Sequence, residues 1–461
     1  MNHSTQEANE LIRDGVIALS RVEENGIRID VDYLKRITGK VSEKIDQLDA
    51  EFRRSKIYKR WAKTYGSKTS MTNTNQLADV LYNQMGYKGE RSDGGKLWKK
   101  DQEAFETIDD PAMKKFILAG KLRKLKGTFL KGIRNETIDG YLHPVFNLHT
   151  TITHRGSSEA LNFQNLPIRD PMQGKIIRRC FIPRKNHVLV EIDYAGIEVR
   201  VAACYNHDPR MIEYILDPTK DMHRDMAAEC FKCAPQQAAE NKGLRQSAKG
   251  NFVFAQFYGS WFKQCAPKLW SDIAEYDLKI GDQSLYDWLK QKGIRKLGDC
   301  AADADVERNS YVEHIQKVEH DFWKKRFRVY DEWRREWFSE YQKVGGFMTL
   351  TGFWLSGVMS RKDTINYPIQ GSAFHCLLWS LTQLVRTLSK EKWKTKIVGQ
   401  IHDSIVADVH IDEFDEYLAL AKEIMTERVR KHWKWIIVPL EIEAKVCGLG
   451  ETWYDQKELA I

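Results

Sequence analysis

A chain of 461 residues, 42% hydrophobic and 30% charged, has an ordinary globular composition, which excludes a disordered polymer and allows a large multi-lobed core. No apolar run approaches the ~20 residues that a bilayer crossing requires, so no membrane partner is expected. Lys and Arg number 72 against 64 Asp and Glu, a net charge of +8 that suits a polyanionic partner without proving one.

Met1 to Glu10 is polar and lacks a secretory segment, so the expected location is cytoplasmic. Leu11, Ile12, Val16, Leu19 and Val22 then mark an amphipathic helix from Glu7 to Asn25 that stops at Gly26. Further helices are predicted over Asp32 to Arg53 and Asn73 to Met85, with a polar loop from Glu90 to Lys96. Lys114, Lys115, Lys121, Arg123, Lys124, Lys126 and Lys131 crowd a helical stretch from Ala112 to Lys131. Such a strip is the footprint of phosphate binding, or simply a solvated helix face.

The character then changes. Tyr141 to Leu148 alternates like a strand, and Val188 to Ile192 is a β-branched strand ending in Asp193-Tyr194. Far along the chain, Lys396 to Ile401 and Ser404 to Val409 form two strands whose tight turn carries His402-Asp403. The long intervening segment is mostly helical and rich in Trp, Tyr, Lys and Arg. The expected fold class is α+β, a small sheet between helical lobes. Of the eight cysteines, Cys230 and Cys233 form the one C-x-x-C pair, and they read as reduced helical thiols because no second pair completes a zinc site.

Two features carry candidate chemistry. Asp193 follows one strand, and Asp403 sits in the hairpin turn far along the chain. Carboxylates held at the ends of adjacent strands can bind two divalent cations ~3.5–4 Å apart, the spacing of a phosphoryl-transfer site. Oxygen ligands favour Mg²⁺. Either aspartate alone is equally a turn former or helix cap. Arg245 and Lys249 are spaced i,i+4, as are Phe254 and Tyr258, so one helical face offers cations followed by aromatic rings. The competing reading is a basic helix with an aromatic core stripe.

Six motifs in order then resemble one family. Thr153-His154-Arg155-Gly156-Ser157-Ser158 with Asn162 to Arg169 resembles T-x-R-x-S-S and N-L-Q-N-I-P-x-R of the bacterial DNA polymerase I-like family, family A. Asp193 to Arg200 is similar to its motif A, D-Y-S-Q-I-E-L-R, and Asp221-Met222-His223-Arg224 to the D-I-H-R that follows. Arg245 to Lys249 with Phe254 to Gly259 resembles motif B, Asn366 to Gly371 resembles N-x-P-x-Q-G, and Gln400 to Asp403 resembles motif C. The likeness runs from about residue 15 to 455, and a phage origin is one reading of it.

The resemblance implies a right-hand polymerase fold with a small antiparallel palm sheet and mainly helical thumb and fingers. Its divisions are a helical lead-in at 1–35, a thumb at 36–145, a palm at 146–205 and 346–461, and fingers at 206–345. It implies template-directed DNA synthesis from a primer and deoxynucleoside triphosphates. Asp193, Asp403 and the Tyr194 carbonyl would hold two Mg²⁺ ions, with Mn²⁺ able to substitute. His223, Arg245 and Lys249 would grip the β- and γ-phosphates, with Lys249 as general acid. Glu198 would block a ribose 2′-hydroxyl, Tyr258 would pair with it, and Phe254 would stack by the sugar and disfavour dideoxynucleotides. Arg169, Asn366 and Gln370 would read the minor groove, His402 would touch the primer terminus, and Lys124 and Lys126 would meet phosphates.

The sequence departs from the family at three points. Motif C normally continues H-D-E, whereas this chain has Ser404; altered metal dependence is expected. One extra residue separates Lys249 from Phe254, so Val253 takes the usual aromatic position and Phe252 is the rival of Phe254. A single π turn would absorb the extra residue. An insertion is expected at 266–309. Fewer than ~20 residues precede the resembling region, so proofreading is expected from a separate exonuclease chain, and a processivity subunit is a further candidate partner. A single-subunit RNA polymerase and a catalytically silent DNA-binding subunit are the alternatives. Glu198 and the Asn366 segment oppose the first, and the Asp193, Asp403 and Lys249 set opposes the second.

Overall fold

The computed structural model describes residues 4–89, 91, 97–167 and 170–460. The expected loop at Glu90 to Lys96 lies almost entirely outside the described residues, as does Arg169.

The helix Gln6–Asn25 begins at the Thr5 cap and ends where Gly26 turns to φ +61°. A Cβ at Gly26 would lie 2.7 Å from the His143 ring, so both the conformation and the close approach require glycine there. The helices Val31–Arg53 and Pro111–Lys124 pack along each other and reach away from the main body. At their far end Phe52, Trp61, Leu81, Phe105 and Phe116 form a core separate from that of the rest of the molecule.

The main core surrounds a five-stranded antiparallel sheet. Its order is Lys396–Ile401, Ser404–His410, His187–Tyr194, Ile442–Val446, Lys457–Leu459. The Asp193 strand is central, which explains its run of buried apolar residues. A 30-residue helix, Arg361–Lys390, packs against the Gln6–Asn25 helix and touches the sheet. Pro368 lies inside it and cannot donate to the carbonyl of Thr364. The Trp337 indole N–H donates to that carbonyl instead, at 3.1 Å.

Two expectations need correction. Tyr141 to Leu148 is not one strand. Tyr141–Leu142 pairs with Ile27–Arg28 and Thr137–Ile138, whereas Val145–Asn147 pairs with Ser157–Glu159. Pro144 lacks an N–H, and Glu23 captures the His143 ring and the Phe146 amide at the break. The C-x-x-C thiols are not both helical either: Cys230 closes the helix Met222–Cys230, and Cys233 lies beyond it. Both are free thiols, Cys230 buried and Cys233 half-buried.

Candidate active site

The Asp193 strand pairs with Ser404–His410 in a register that sets Ser404 directly opposite Asp193. Ile401 also pairs with Ser404, so His402 and Asp403 form a two-residue turn, with His402 at φ +49°. The Tyr194 amide donates to the Asp403 carbonyl at 3.3 Å. Residues 210 positions apart in sequence therefore become neighbours at one sheet end. The Tyr194 hydroxyl is buried against Ser380 and the Met425 carbonyl, which leaves only its main chain for a ligand.

The electrostatics of this end favour cations. Withdrawal from bulk water raises the Asp193 pKa, the charges of Asp403, Glu191 and Glu443 raise it further, and Lys445 opposes them; the result is about 7. The Asp193 side chain is itself exposed, so this is the partial desolvation of a cleft and not of a sealed core. Burial likewise raises the Asp403 pKa, against the opposing charges of Arg155 and His402. No side-chain hydrogen bond stabilises either ionised carboxylate among the described residues. Nor does any group of three or more His, Cys, Asp or Glu form a metal cage among them. Two repelling carboxylates beside a main-chain carbonyl fit hard divalent cations that keep positions open for water and substrate oxygens.

The motif helix supplies the opposite charge. Its first part, Lys242–Ala248, runs into a π turn at Lys249–Phe254 and resumes at Ala255–Phe257. The expected accommodation of the extra residue is present. It also separates the two rival rings: Phe252 is fully buried against Phe322, whereas Phe254 is half-buried, 5.5 Å from His223 and 6.4 Å from Tyr258. Lys249 Nζ lies 5.5 Å from the Phe254 ring. Asp221 caps the His223 helix and also accepts from Arg245 Nε at 2.6 Å, which ties D-x-H to motif B. Burial, then Lys249 and Arg245, depress the His223 pKa to about 4. Its buried Nδ1 has no hydrogen-bond partner among the described residues.

Side chains join these two halves. The Tyr258 hydroxyl donates to Glu198; burial raises the pKa of both, and the Asp403 charge adds to it. Asn366 donates to the Tyr258 carbonyl at 3.2 Å. Glu198, Phe254, Tyr258, Asn366 and Gln370 line one narrow cavity. Lys124 and Lys126 lie remote in sequence, Lys124 at the end of the helix Pro111–Lys124 and Lys126 in the π turn Leu125–Leu130 that continues it. There Lys114, Lys115, Lys121 and Arg123 are ion-paired, whereas Lys124 and Lys126 have no carboxylate partner among the described residues.

The family model for DNA polymerase family A matches residues 32–276 and 333–455. The chain belongs to DNA polymerase family A. The internal stretch that the family model leaves unmatched, 277–332, is offset from the expected insertion at 266–309. Among curated family A relatives, the thermostable DNA polymerase I of Thermus aquaticus is 27% identical over 95% of this chain and 47% of its own length. DNA polymerase I of Lactococcus lactis subsp. lactis is 26% identical over 95% and 45%. The chain thus spans about half the length of these relatives. Its fold is that of the POL domain of Pol1 from M. smegmatis, solved in complex with DNA primer-template and dNTP. The TM-score is 0.73 and the identity 20%, with 96% of this chain and 70% of that one covered. The fold is therefore the α+β right-hand polymerase fold of family A.

Sequence reasoning assigned no role to several residues at this site. Arg155 reaches toward Gln370 at 3.5 Å and Glu198 at 4.0 Å. Gln164 donates to Gln400, which in turn donates to the His402 carbonyl, bracing the turn. Glu191 was legible by strand alternation, two positions before Asp193. It is held by the Trp453 indole at 3.0 Å, and the Ser404 hydroxyl lies 3.5 Å from it. Glu443, directly opposite Asp193, had no local signal.

Proposed function

We propose that this chain is a DNA-templated DNA polymerase that extends a primer 3′-hydroxyl with deoxynucleoside triphosphates and releases pyrophosphate. The observation that carries the reading is the Tyr258–Glu198 hydrogen bond, which ties the cationic helix to the helix that follows the Asp193 strand. Asp193, Asp403 and the Tyr194 carbonyl would hold the divalent cations, two Mg²⁺ with Mn²⁺ as substitute; when bound, these activate the 3′-hydroxyl and neutralise charge building on the α-phosphate. Arg245 and Lys249 bind the β- and γ-phosphates, and the unmet His223 Nδ1 donates to one of their oxygens in its neutral tautomer. Lys249 protonates the departing pyrophosphate oxygen as the bond to the α-phosphorus breaks. Glu198, held by Tyr258, occupies the space a 2′-hydroxyl would need, and Phe254 packs on the sugar. Arg169, Asn366 and Gln370 read acceptors common to all correct pairs, and His402 meets the primer end. Lys124 and Lys126, which have no carboxylate partner among the described residues, contact backbone phosphates without sequence preference.

In this reading the thumb spans 36–145, the palm 146–205 and 346–461, and the fingers 206–345, after a lead-in at 1–35. Primer extension on a single-stranded template with Mg²⁺ tests the proposal. Deoxynucleotides should extend the primer and ribonucleotides should not, and Glu198→Ala should raise ribonucleotide use. Equal use of both sugars by the unaltered protein would favour an RNA polymerase, and no extension at all a silent DNA-binding subunit.

A further inference from the structure

The motif helix is fixed from behind at two levels, with the π turn rooted in one and ending above the other. At the upper level, Asp272 is buried on the neighbouring helix Phe262–Glu275 and accepts on one oxygen from both the Ser247 hydroxyl and Asn251 Nδ2, the latter at 2.7 Å. At the lower level, the buried Gln256 donates to Glu319 at 2.6 Å and accepts from the Trp323 indole at 2.7 Å. Ser247 lies in the regular helix and Asn251 inside the π turn.

A regular helix advances 100° per residue, so one extra residue would swing Phe254 and Tyr258 that far from the Lys249 face. Wider π geometry absorbs the surplus only where something offsets its poorer packing, and such turns cluster at functional sites. Phe254 and Tyr258 line the cavity while Phe252 and Val253 fill the core, so the phase is the one that serves the nucleotide side. A buried carboxylate oxygen that accepts from two donors at once is a directional anchor.

We propose that Asp272 is a positioning residue for nucleotide binding: by bridging Ser247 and Asn251 it holds the π turn that sets Phe254 and Tyr258 on the same face as Arg245 and Lys249. Asp272 touches no substrate and acts through the helix. This rests on the polymerase reading, and its test separates the two. In the full chain, Asp272→Ala removes the shared acceptor oxygen, while Asn251→Ala removes one of its two donors. Each should raise the dNTP KM about five- to tenfold and lower dNTP-over-ddNTP selection. Primer-template affinity should stay within about twofold, as should kcat. Unchanged KM, or DNA affinity falling in parallel with kcat, overturns the inference. Should the unaltered protein not extend primers, the polymerase reading fails, and amide hydrogen exchange then judges the bridge. Exchange in Asn251→Ala should rise across 247–254 and stay unchanged at 256–258, where Gln256 still anchors the helix; a uniform rise, or none, overturns the bridge.

Discussion

The acid pair and the cationic helix position their side chains by different physics. Asp193 and Asp403 are set by strand register: direct cross-strand pairing and a two-residue turn leave no freedom to slide, because a one-residue slip reverses every side chain. Arg245, Lys249, Phe254 and Tyr258 are set by rotation about one helix, where an extra residue shifts phase gradually and a π turn can absorb it. Next to the turn the strand arrangement is thus fixed, and an extra residue of the hairpin is taken up farther away, at the bulge between Ile397 and Gly399. The helix instead absorbs its extra residue inside the motif and depends on outside anchors. Ser404 fits the same contrast. A substitution on the strand leaves the register intact and changes only the charge beside it.

The largest effects should come from breaking the strand side. Asp193→Ala, Asp403→Ala, or one glycine inserted after Asp403 should each lower primer extension at least about a thousandfold. Deleting the exposed Gly250 from the π turn should cost less than about tenfold, measured in the same assay. If the deletion and the insertion hurt equally, the contrast fails.

Lys249→Ala should come next, at roughly a hundredfold in kcat, the usual range for a lost general acid. The two rival rings can be separated by adding one hydroxyl to each. Phe254→Tyr should weaken discrimination against dideoxynucleotides at unchanged stability. Phe252→Tyr should leave discrimination alone and cost about 1–3 kcal/mol, because the core around it offers the hydroxyl no water.

The smallest effect concerns stability. The Asp193 pKa is near 7 in the fold against an ordinary 3.8, so the folded state holds its proton more tightly than the unfolded chain. The carboxylate therefore weakens the fold above pH 7, and the penalty fades as pH falls toward 3.8. Asp193→Asn should stabilise the metal-free protein by about 1 kcal/mol at pH 8, a modest gain because the side chain meets water. The gain should vanish near pH 4 in denaturant titrations.

Local patterns made much of this molecule readable. The Gln6–Asn25 helix and its glycine stop, the Asp193 strand, the His402-Asp403 turn and the need for a π turn all follow from spacings within a few residues. These are backbone matters, decided by periodicity, turn chemistry and helix phase. The break at Pro144 is also local: a residue that cannot donate interrupts an alternation that otherwise runs from Tyr141 to Leu148.

What only the tertiary structure decided concerns partners distant in sequence. Glu443 faces Asp193 across a strand pair, Asp272 and Glu319 brace the motif helix, and acids neutralise part of the basic strip while Lys124 and Lys126 have no such partner among the described residues. A side chain's charge and spacing are written in the chain, but its company is set by packing. Desolvation, like-charge crowding and buried hydrogen bonds arise only once remote segments meet, and those terms decide which of many similar residues can do chemistry.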